Sequence, residues 1–308
     1  MWIIVATLGY FLGAVTNILD KFILSSRIPN PSVYAFFAAM FSISTFVLAP
    51  FGLTFIEARP MAESLLSGAL FTYGLLFFYK AVKMSEVSRV APLVGSLTAV
   101  GTLAAVIAVS AATLDYASIM SFWLLVGGGF LMAFDLPLKP RIMFQGIRTI
   151  VIASFLLGAS LVILKDVYTS DGFINGYVWS RLGAFLAGFT LFLVPTWRRE
   201  IIGNLRKPAA SRSESARTGV WFMVNKSSGA ASAFLVNYAV SLGSLSIVHA
   251  LAGIQYAFVF LLIIALSRFR SGFVQERLAL NDWVQKFVAL ACIGVGLYYA
   301  SISATMTL

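Results

Sequence analysis

The chain has 308 residues, of which 60% are hydrophobic and 11% are charged, and its formal net charge is +10 at pH 7. Soluble domains are about 45–50% apolar and about 25% charged, so this composition excludes a water-soluble protein and indicates one whose solvent is the bilayer. The single cysteine, Cys292, excludes a disulfide within the chain and a cysteine-based metal cluster.

Apolar runs long enough to cross a membrane occur throughout the chain. A helix needs roughly 20 mostly apolar residues to cross the hydrocarbon. The first run, MWIIVATLGYFLG, is followed by no cleavage-type site and is therefore predicted as a span. The predicted fold is an all-α integral membrane protein with ten transmembrane helices, at about 2–24, 32–54, 62–82, 89–110, 117–136, 148–168, 177–197, 219–241, 245–267 and 282–303.

Basic residues separate the connections between these spans into two groups. The connections after spans one, three, five, seven and nine hold every basic loop residue except Arg59. The longest of them, the polar stretch 198–218, is predicted as a solvated loop between spans seven and eight. By the positive-inside rule these connections are cytoplasmic, which places both termini outside. The short loops favour a bacterial inner (plasma) membrane.

A sequence pattern occurs twice in the chain. GAVTNILDKFILS at 13–25 resembles GASLVILKDVYTS at 158–170, about 145 residues later. Residues 79–99 align with residues 237–257 at an offset of 158, and the extra residues fit inside the polar stretch. The chain is therefore predicted to be a duplicated unit.

The duplication divides the chain into two five-helix repeats, 1–136 and 137–308. Because each unit has an odd number of spans, the second unit is inserted upside down relative to the first. Inverted repeats of this kind place the substrate site near the membrane midplane, between the two units.

Charged pairs occupy corresponding places in the two units, Asp20 with Lys21 and Lys165 with Asp166. Either each lysine reaches its membrane interface beside an acid, or the pairs form gates or coupling-ion sites at the two mouths of one pathway. Adjacent helix residues project about 100° apart, so both members of a pair cannot face the same lumen.

Other polar side chains fall inside the predicted spans. Arg181 and Lys226 have no acidic residue on the same span, and they either reach an interface or meet an anion. His249, the only histidine, is either a hydrogen-bonded interior residue or a proton shuttle. Four further side chains suit either hydrogen bonds between helices or a polar lumen: Asn17, Asn237, Gln255 and Tyr256.

The charges inside the spans lean positive. If the neighbouring lysines offset Asp20 and Asp166, Arg181 and Lys226 are left without a partner. An unpaired cation in a low-dielectric bundle is costly, so an anionic or zwitterionic substrate is predicted, such as a carboxylate, a phosphorylated metabolite or a lipid-linked phosphate. Neutralising Arg181 or Lys226 is expected to abolish transport and to leave folding intact.

Glycines cluster in two corresponding helices, at Gly127–Gly129 in span five and at Gly294 and Gly296 in span ten. Small residues let helix backbones approach closely. These two helices are therefore predicted to pack against each other or across a homodimer interface.

Two stretches carry a resemblance to a known family. YKAVKMSEVSRVAPLVGSLTAVGTL at 79–103 is similar to the third-to-fourth helix turn of EamA-type members of the drug/metabolite transporter superfamily. VQERLALNDWVQKFVALACIGVGLYY at 274–299 is similar to the ending of these proteins. The resemblance covers essentially the whole chain and implies ten spans in a five-plus-five repeat.

The chain departs from the family at several places. Ala99 and Ala257 stand where the family often has Pro, and Gly13 stands where four-span relatives carry an essential Glu. Proton coupling by that carboxylate is therefore not carried over. Family members usually keep both termini in the cytoplasm, which is opposite to the orientation that the basic loops predict.

The repeat and the resemblance imply a secondary transporter that moves a small metabolite by alternating access. The alternative is a flippase for an amphipathic or lipid-linked phosphate substrate on the same fold, which a lateral opening between helices would favour. No Walker-type loop is present, and one histidine with scattered acids argues against an enzyme. The expected partners are the bilayer and a small-molecule substrate, with no cofactor, metal or nucleic acid.

Overall fold

A computed structural model describes residues 2–26, 30–85, 87–110, 116–133, 146–205, 212–243, 245–269 and 280–306. A few side chains within these ranges, including that of His249, lie outside the description. Helices account for nearly all of the described residues, and no strand occurs among them, which confirms the predicted all-α class.

The helices are numbered here in chain order. Two of them continue as 3-10 helix, α2 over Ser42–Phe51 and α7 over Leu191–Leu193. The α-helices are α1 (Trp2–Ser26), α2 (Pro31–Phe41), α3 (Ala58–Met84), α4 (Val87–Ser110), α5 (Tyr116–Ala133), α6 (Ile147–Asp171), α7 (Phe173–Thr190), α8 (Pro195–Leu205), α9 (Arg212–Leu242), α10 (Leu245–Ala250), α11 (Ala252–Phe269) and α12 (Leu280–Met306).

Several helices have the length and composition of membrane spans. Within the described residues five helices are long and apolar enough to cross a bilayer, and they are Trp2–Leu24, Pro31–Phe51, Ala58–Met84, Ile147–Asp171 and Phe173–Leu193. Shorter apolar helices cover Val90–Ala105, Tyr116–Leu131 and Val284–Gly296. These helices indicate a membrane protein. Each of the ten predicted segments overlaps helix within the described residues, although the ninth is divided between α10 and α11. The count of ten spans stays a prediction.

Large apolar side chains point away from the protein on several of these helices. Phe155 and Leu193 are 72% and 80% exposed, and Val284 is 64% exposed. Exposing such an apolar surface to water costs free energy, whereas exposing it to lipid tails does not. The outer surface therefore agrees with the bilayer that the composition predicts.

Helix packing brings distant parts of the chain together. Helix α3 packs against α6 and α7, α1 packs against α9 and α11, and α4 packs against α6. Glycines permit the closest of these approaches. A Cβ on Gly68 of α3 would overlap the carbonyl oxygen of Ser180 on α7, and a Cβ on Gly183 would lie 2.6 Å from the Cα of Leu65.

Helices α5 and α12 pack against each other, as the glycine pattern predicts. A Cβ on Gly128 would lie 2.7 Å from Cγ1 of Ile293, and one on Gly296 would lie 2.8 Å from Cγ of Leu125. The small residues therefore let the two helices approach. The homodimer alternative stays a prediction.

The polar stretch 198–218 is not the continuous loop that its composition predicts. Its first part belongs to α8, which starts at Pro195 and buries Ile201, and its last part belongs to α9. Proline is favoured in the first helical turn, where its missing N–H costs nothing. Residues 206–211, between the two helices, lie outside the described residues.

Candidate functional site

A cavity of about 340 Å³ lies among eight helices, drawn from both halves of the chain. Helices α1 to α4, including the start of the 3-10 extension of α2, contribute lining residues from the first half, and helices α6, α7, α9 and α11 contribute them from the second. We refer to it as the central cavity. Seven of the polar residues chosen from the sequence line it: Asn17, Asp20, Arg181, Lys226, Asn237, Gln255 and Tyr256.

Glycines make room for two of these side chains. A Cβ on Gly13 of α1 would lie 2.9 Å from Oε1 of Gln255, and a Cβ on Gly95 of α4 would overlap the hydroxyl of Tyr256. Both polar groups belong to α11 and reach helices of the other half because glycine stands at the contact. Gly13 thus has a packing role at the position where the family resemblance leads one to look for a carboxylate.

A hydrogen-bonded group beside the central cavity, here called the Asp20 cluster, comprises Asp20, Tyr34, Tyr79, Asn225 and Lys226. Asp20, Tyr79 and Lys226 of this cluster line the cavity. Asp20 is 3% exposed. Its Oδ1 accepts hydrogen bonds from the Tyr34 hydroxyl, from Nδ2 of Asn225 at 2.6 Å and from Nζ of Lys226 at 3.0 Å. Three donors on one buried carboxylate oxygen compensate for its lost hydration.

Lys226 is held on several sides within the same cluster. Its Nζ donates to the Tyr79 hydroxyl at 3.1 Å and lies 4.1 Å from the centre of the Tyr34 ring. The ion pair with Asp20 crosses from α9 to α1. The prediction that Lys226 lacks a partner is therefore wrong, because an acid 206 positions away along the chain supplies one.

Arg181 lines the cavity in a different way. The residue is 8% exposed, and its guanidinium carbon lies 4.3 Å from the centre of the Phe71 ring and 4.8 Å from that of Tyr177. No described acid forms a salt bridge with it, and its buried Nε has no hydrogen-bond partner within the described residues. Aromatic faces attract a cation but accept none of its five N–H donors strongly. Arg181 is therefore a mostly buried cation that no described acid pairs, and its Nε lacks a hydrogen-bond partner among the described residues.

Three further lining residues present polar groups that the protein leaves free. Among the described residues, the side chains of Asn17, Gln255 and Tyr256 form no hydrogen bond. Asn237 differs from them, since it accepts from the Tyr168 hydroxyl at 3.1 Å and donates to the Ala233 carbonyl at 2.8 Å. The central cavity thus offers a free cation and free neutral polar groups, on walls that are mostly apolar or aromatic.

Lys21 and Lys165 do not line the cavity. Nζ of Lys21 donates to the carbonyls of Val82 and Ser85 at 3.0 Å each, at the carboxyl end of α3. Nζ of Lys165 donates to the carbonyls of Val240 at 2.7 Å and Gly243 at 3.1 Å, at the carboxyl end of α9. A cation there satisfies free carbonyls and complements the helix dipole.

Two predicted residues remain, Asp166 and His249. Asp166 is exposed, whereas Asp20 is buried. The pairs Asp20–Lys21 and Lys165–Asp166 are therefore not equivalent in the structure. His249 lies on α10, and its side chain is outside the described residues. Tyr34, Tyr79 and Asn225 are not among the site residues predicted from the sequence. A signal for Tyr79 was present, because the repeat aligns it with Asn237.

Comparisons with known proteins show the fold and nothing finer. No protein-family model matches the chain, and no curated protein matches it. A solved structure described only as "Crystal structure of protein" has a TM-score of 0.60 and 16% sequence identity, covering 96% of this chain and 98% of its own. At that identity the likeness shows a shared fold, which extends over nearly the whole chain.

Proposed function

We propose that the protein is a ten-helix secondary transporter of the EamA type, which moves a small anionic or zwitterionic metabolite across a bacterial inner membrane by alternating access. The observation that carries the proposal is the central cavity, lined from both halves of the chain and containing the unsatisfied guanidinium of Arg181. A buried cation without a partner is costly unless an anion meets it.

Reciprocal helix contacts support two inverted repeats. Under the proposed duplication α6 is the counterpart of α1, and α9 is the counterpart of α3. Helix α1 packs on α9 as α6 packs on α3, and α1 packs on α11 as α6 packs on α4. The lysine contacts repeat as well, since Val82 and Ser85 correspond to Val240 and Gly243 at the sequence offset of 158.

The Asp20 cluster suggests how access alternates. Its hydrogen bonds join α1, α2 and α3 of the first half to α9 of the second. Separating the two halves at this cluster requires these bonds to break. Arg181, by contrast, lies against aromatic rings, and its Nε has no hydrogen-bond partner among the described residues. We therefore propose the Asp20 cluster as the gate and Arg181 as the group that binds the substrate anion.

Reconstitution of the purified full-length chain tests this function. Compounds that raise the melting temperature are first found in a panel of amino acids, monocarboxylates, dicarboxylates and sugar phosphates, because a ligand of the folded state stabilises it. Radiolabelled forms of the stabilising compounds are then offered to proteoliposomes. We expect the wild type to take up the compound faster than protein-free liposomes do. Arg181→Gln should reduce this uptake at least about tenfold, because a hydrogen bond to a charged group contributes about 1.5–3 kcal/mol.

Arg59→Gln is the matched control, because Arg59 is an exposed arginine paired with Glu63 and is not part of the cavity lining. It should transport like the wild type. Correctly folded protein that takes up no compound of any class would overturn the proposal. If dithionite bleached fluorescent phosphatidylglycerol that had started in the inner leaflet, the result would instead favour the flippase alternative.

A further inference from the structure

The charges on the cavity lining are few and unequal. Among the described lining residues the acidic and basic side chains are Asp20, Lys226 and Arg181. Asp20 and Lys226 neutralise each other in a direct ion pair. One positive charge, that of Arg181, is left over. The site therefore matches one negative charge on whatever fills it.

No carboxylate with an unpaired charge is available for a substrate ammonium group among the described lining residues. The cavity's only described acid, Asp20, is already neutralised by its ion pair with Lys226, and its Oδ1 also accepts from Tyr34 and Asn225. Asn17 and Gln255 have amide oxygens that could accept from an ammonium group. Neutral oxygens do not offset the burial of a full positive charge, which costs far more than one hydrogen bond returns.

We infer, resting on the proposed function, that the substrate is an amphipathic organic monoanion with a single carboxylate, and that the site discriminates against the zwitterion and the dianion of the same skeleton. The carboxylate binds the guanidinium of Arg181 through paired N–H donors. The rings of Phe71 and Tyr177 lie with their centres 4.3 and 4.8 Å from the guanidinium carbon. Nε of Arg181 is buried, so the terminal N–H groups, which no described acid pairs, are the donors left for the ligand.

The apolar walls select the body of the substrate. Leu75 and Phe78 of α3 and Leu157 and Leu161 of α6 line the central cavity. An aromatic or branched aliphatic body of one-ring size would bury its surface there, at about 25 cal/mol per Å². A second carboxylate would be buried without a cation, since Lys226 is already paired with Asp20.

Four compounds with related skeletons test the inference on the wild-type protein. They are 3-phenylpropionate, a monoanion; phenylalanine, which adds an ammonium group; phenylsuccinate, which adds a second carboxylate; and 2-phenylethylamine, a cation. Dissociation constants are measured on the full chain in detergent at pH 7. We expect 3-phenylpropionate to bind at least about tenfold more tightly than each of the other three, a difference of one pKd unit.

Variants locate the binding. Arg181→Gln should lose 3-phenylpropionate binding, Arg181→Lys should keep part of it as a point charge, and Arg59→Gln should bind like the wild type. Equal binding by Arg181→Gln would overturn the inference. The wild-type compound series needs no variant, so it still decides the question if Arg181→Gln does not fold.

The outcomes separate this inference from the proposed function. Phenylalanine or phenylsuccinate binding as tightly as 3-phenylpropionate would overturn the monoanion inference and leave transport intact. If none of the four compounds bound but proteoliposomes took up a sugar phosphate, the monoanion inference would again be overturned and the proposed transport would stand. Proteoliposomes that take up no compound at all would overturn the proposed function itself.

Discussion

The ion pair between Asp20 and Lys226 makes each residue dependent on the other. Both are more than nine-tenths buried, and the pair joins α1 to α9. Removing one partner leaves a buried charge without compensation, whereas removing both leaves two neutral groups. This changes the expectation drawn from sequence for Lys226, whose neutralisation should now damage folding as well as transport.

A double-mutant cycle tests this dependence. Asp20→Asn and Lys226→Met should each destabilise the protein by about 3–5 kcal/mol, and the double variant should be more stable than either single variant. Thermal unfolding in detergent, followed by tryptophan fluorescence, gives the order of the three variants. Strictly additive losses would mean that the two side chains are not coupled as their 3.0 Å contact implies.

Sequence identifies which residues are buried and ionisable, but not their partners. Asp20 stands beside Lys21, and the nearest-neighbour pairing fails because adjacent helix residues point in different directions. Lys21 instead reaches the end of α3, and Asp20 reaches α9. Arg181 was selected because its own helix offers no acid, and among the described residues none from another helix reaches it either.

At the scale of the helices, close packing depends on glycines whose position a sequence pattern only partly reveals. Helices α3 and α7 cross where Gly68 faces Ser180 and Ala184. A Cβ on Gly68 would lie 2.5 Å from the backbone nitrogen of Ala184. Backbone atoms cannot rotate away as a side chain can, so the two helices would have to separate.

Gly68→Ala is therefore expected to destabilise the protein by about 1–3 kcal/mol or more, as overpacking does. Gly101→Ala is the matched control, because Gly101 also lies inside a helix, and its Cβ would meet nothing within 4 Å. The control should be neutral or slightly stabilising. Melting temperatures in detergent compare the two, and equal effects would contradict the packing explanation.

Helix positions were predictable because a bilayer imposes a length of roughly 20 apolar residues. The conformation of two elements could not be predicted from this length. The 3-10 extension Ser42–Phe51 of α2 is as apolar as an α-helix, so hydropathy does not distinguish the two. Helix α8 has too few apolar residues to count as a span, and composition alone makes it indistinguishable from a loop.

At the scale of the whole molecule, the proposed repeat would explain two matching sets of contacts that lie far apart in the sequence. Lys21 and Lys165 each donate two hydrogen bonds to the last carbonyls of a helix, one on α3 and the other on α9. Such a match follows if both halves descend from one unit. The sequence alignment shows the offsets between the two halves. It does not show that each lysine caps a helix of its own half.

Inverted repeats require the carboxyl ends of α3 and α6 to lie on opposite sides of the membrane. Lys83 and Thr169 are exposed residues near these two ends. In a Cys292→Ser background, a membrane-impermeant maleimide applied to intact cells should label Thr169→Cys, and it should label Lys83→Cys only after permeabilisation, because basic loops stay inside. The background without an added cysteine should not react. Labelling of both cysteines from outside would refute the inversion. The reverse pattern would keep the inversion and place the termini in the cytoplasm, as the family resemblance implies.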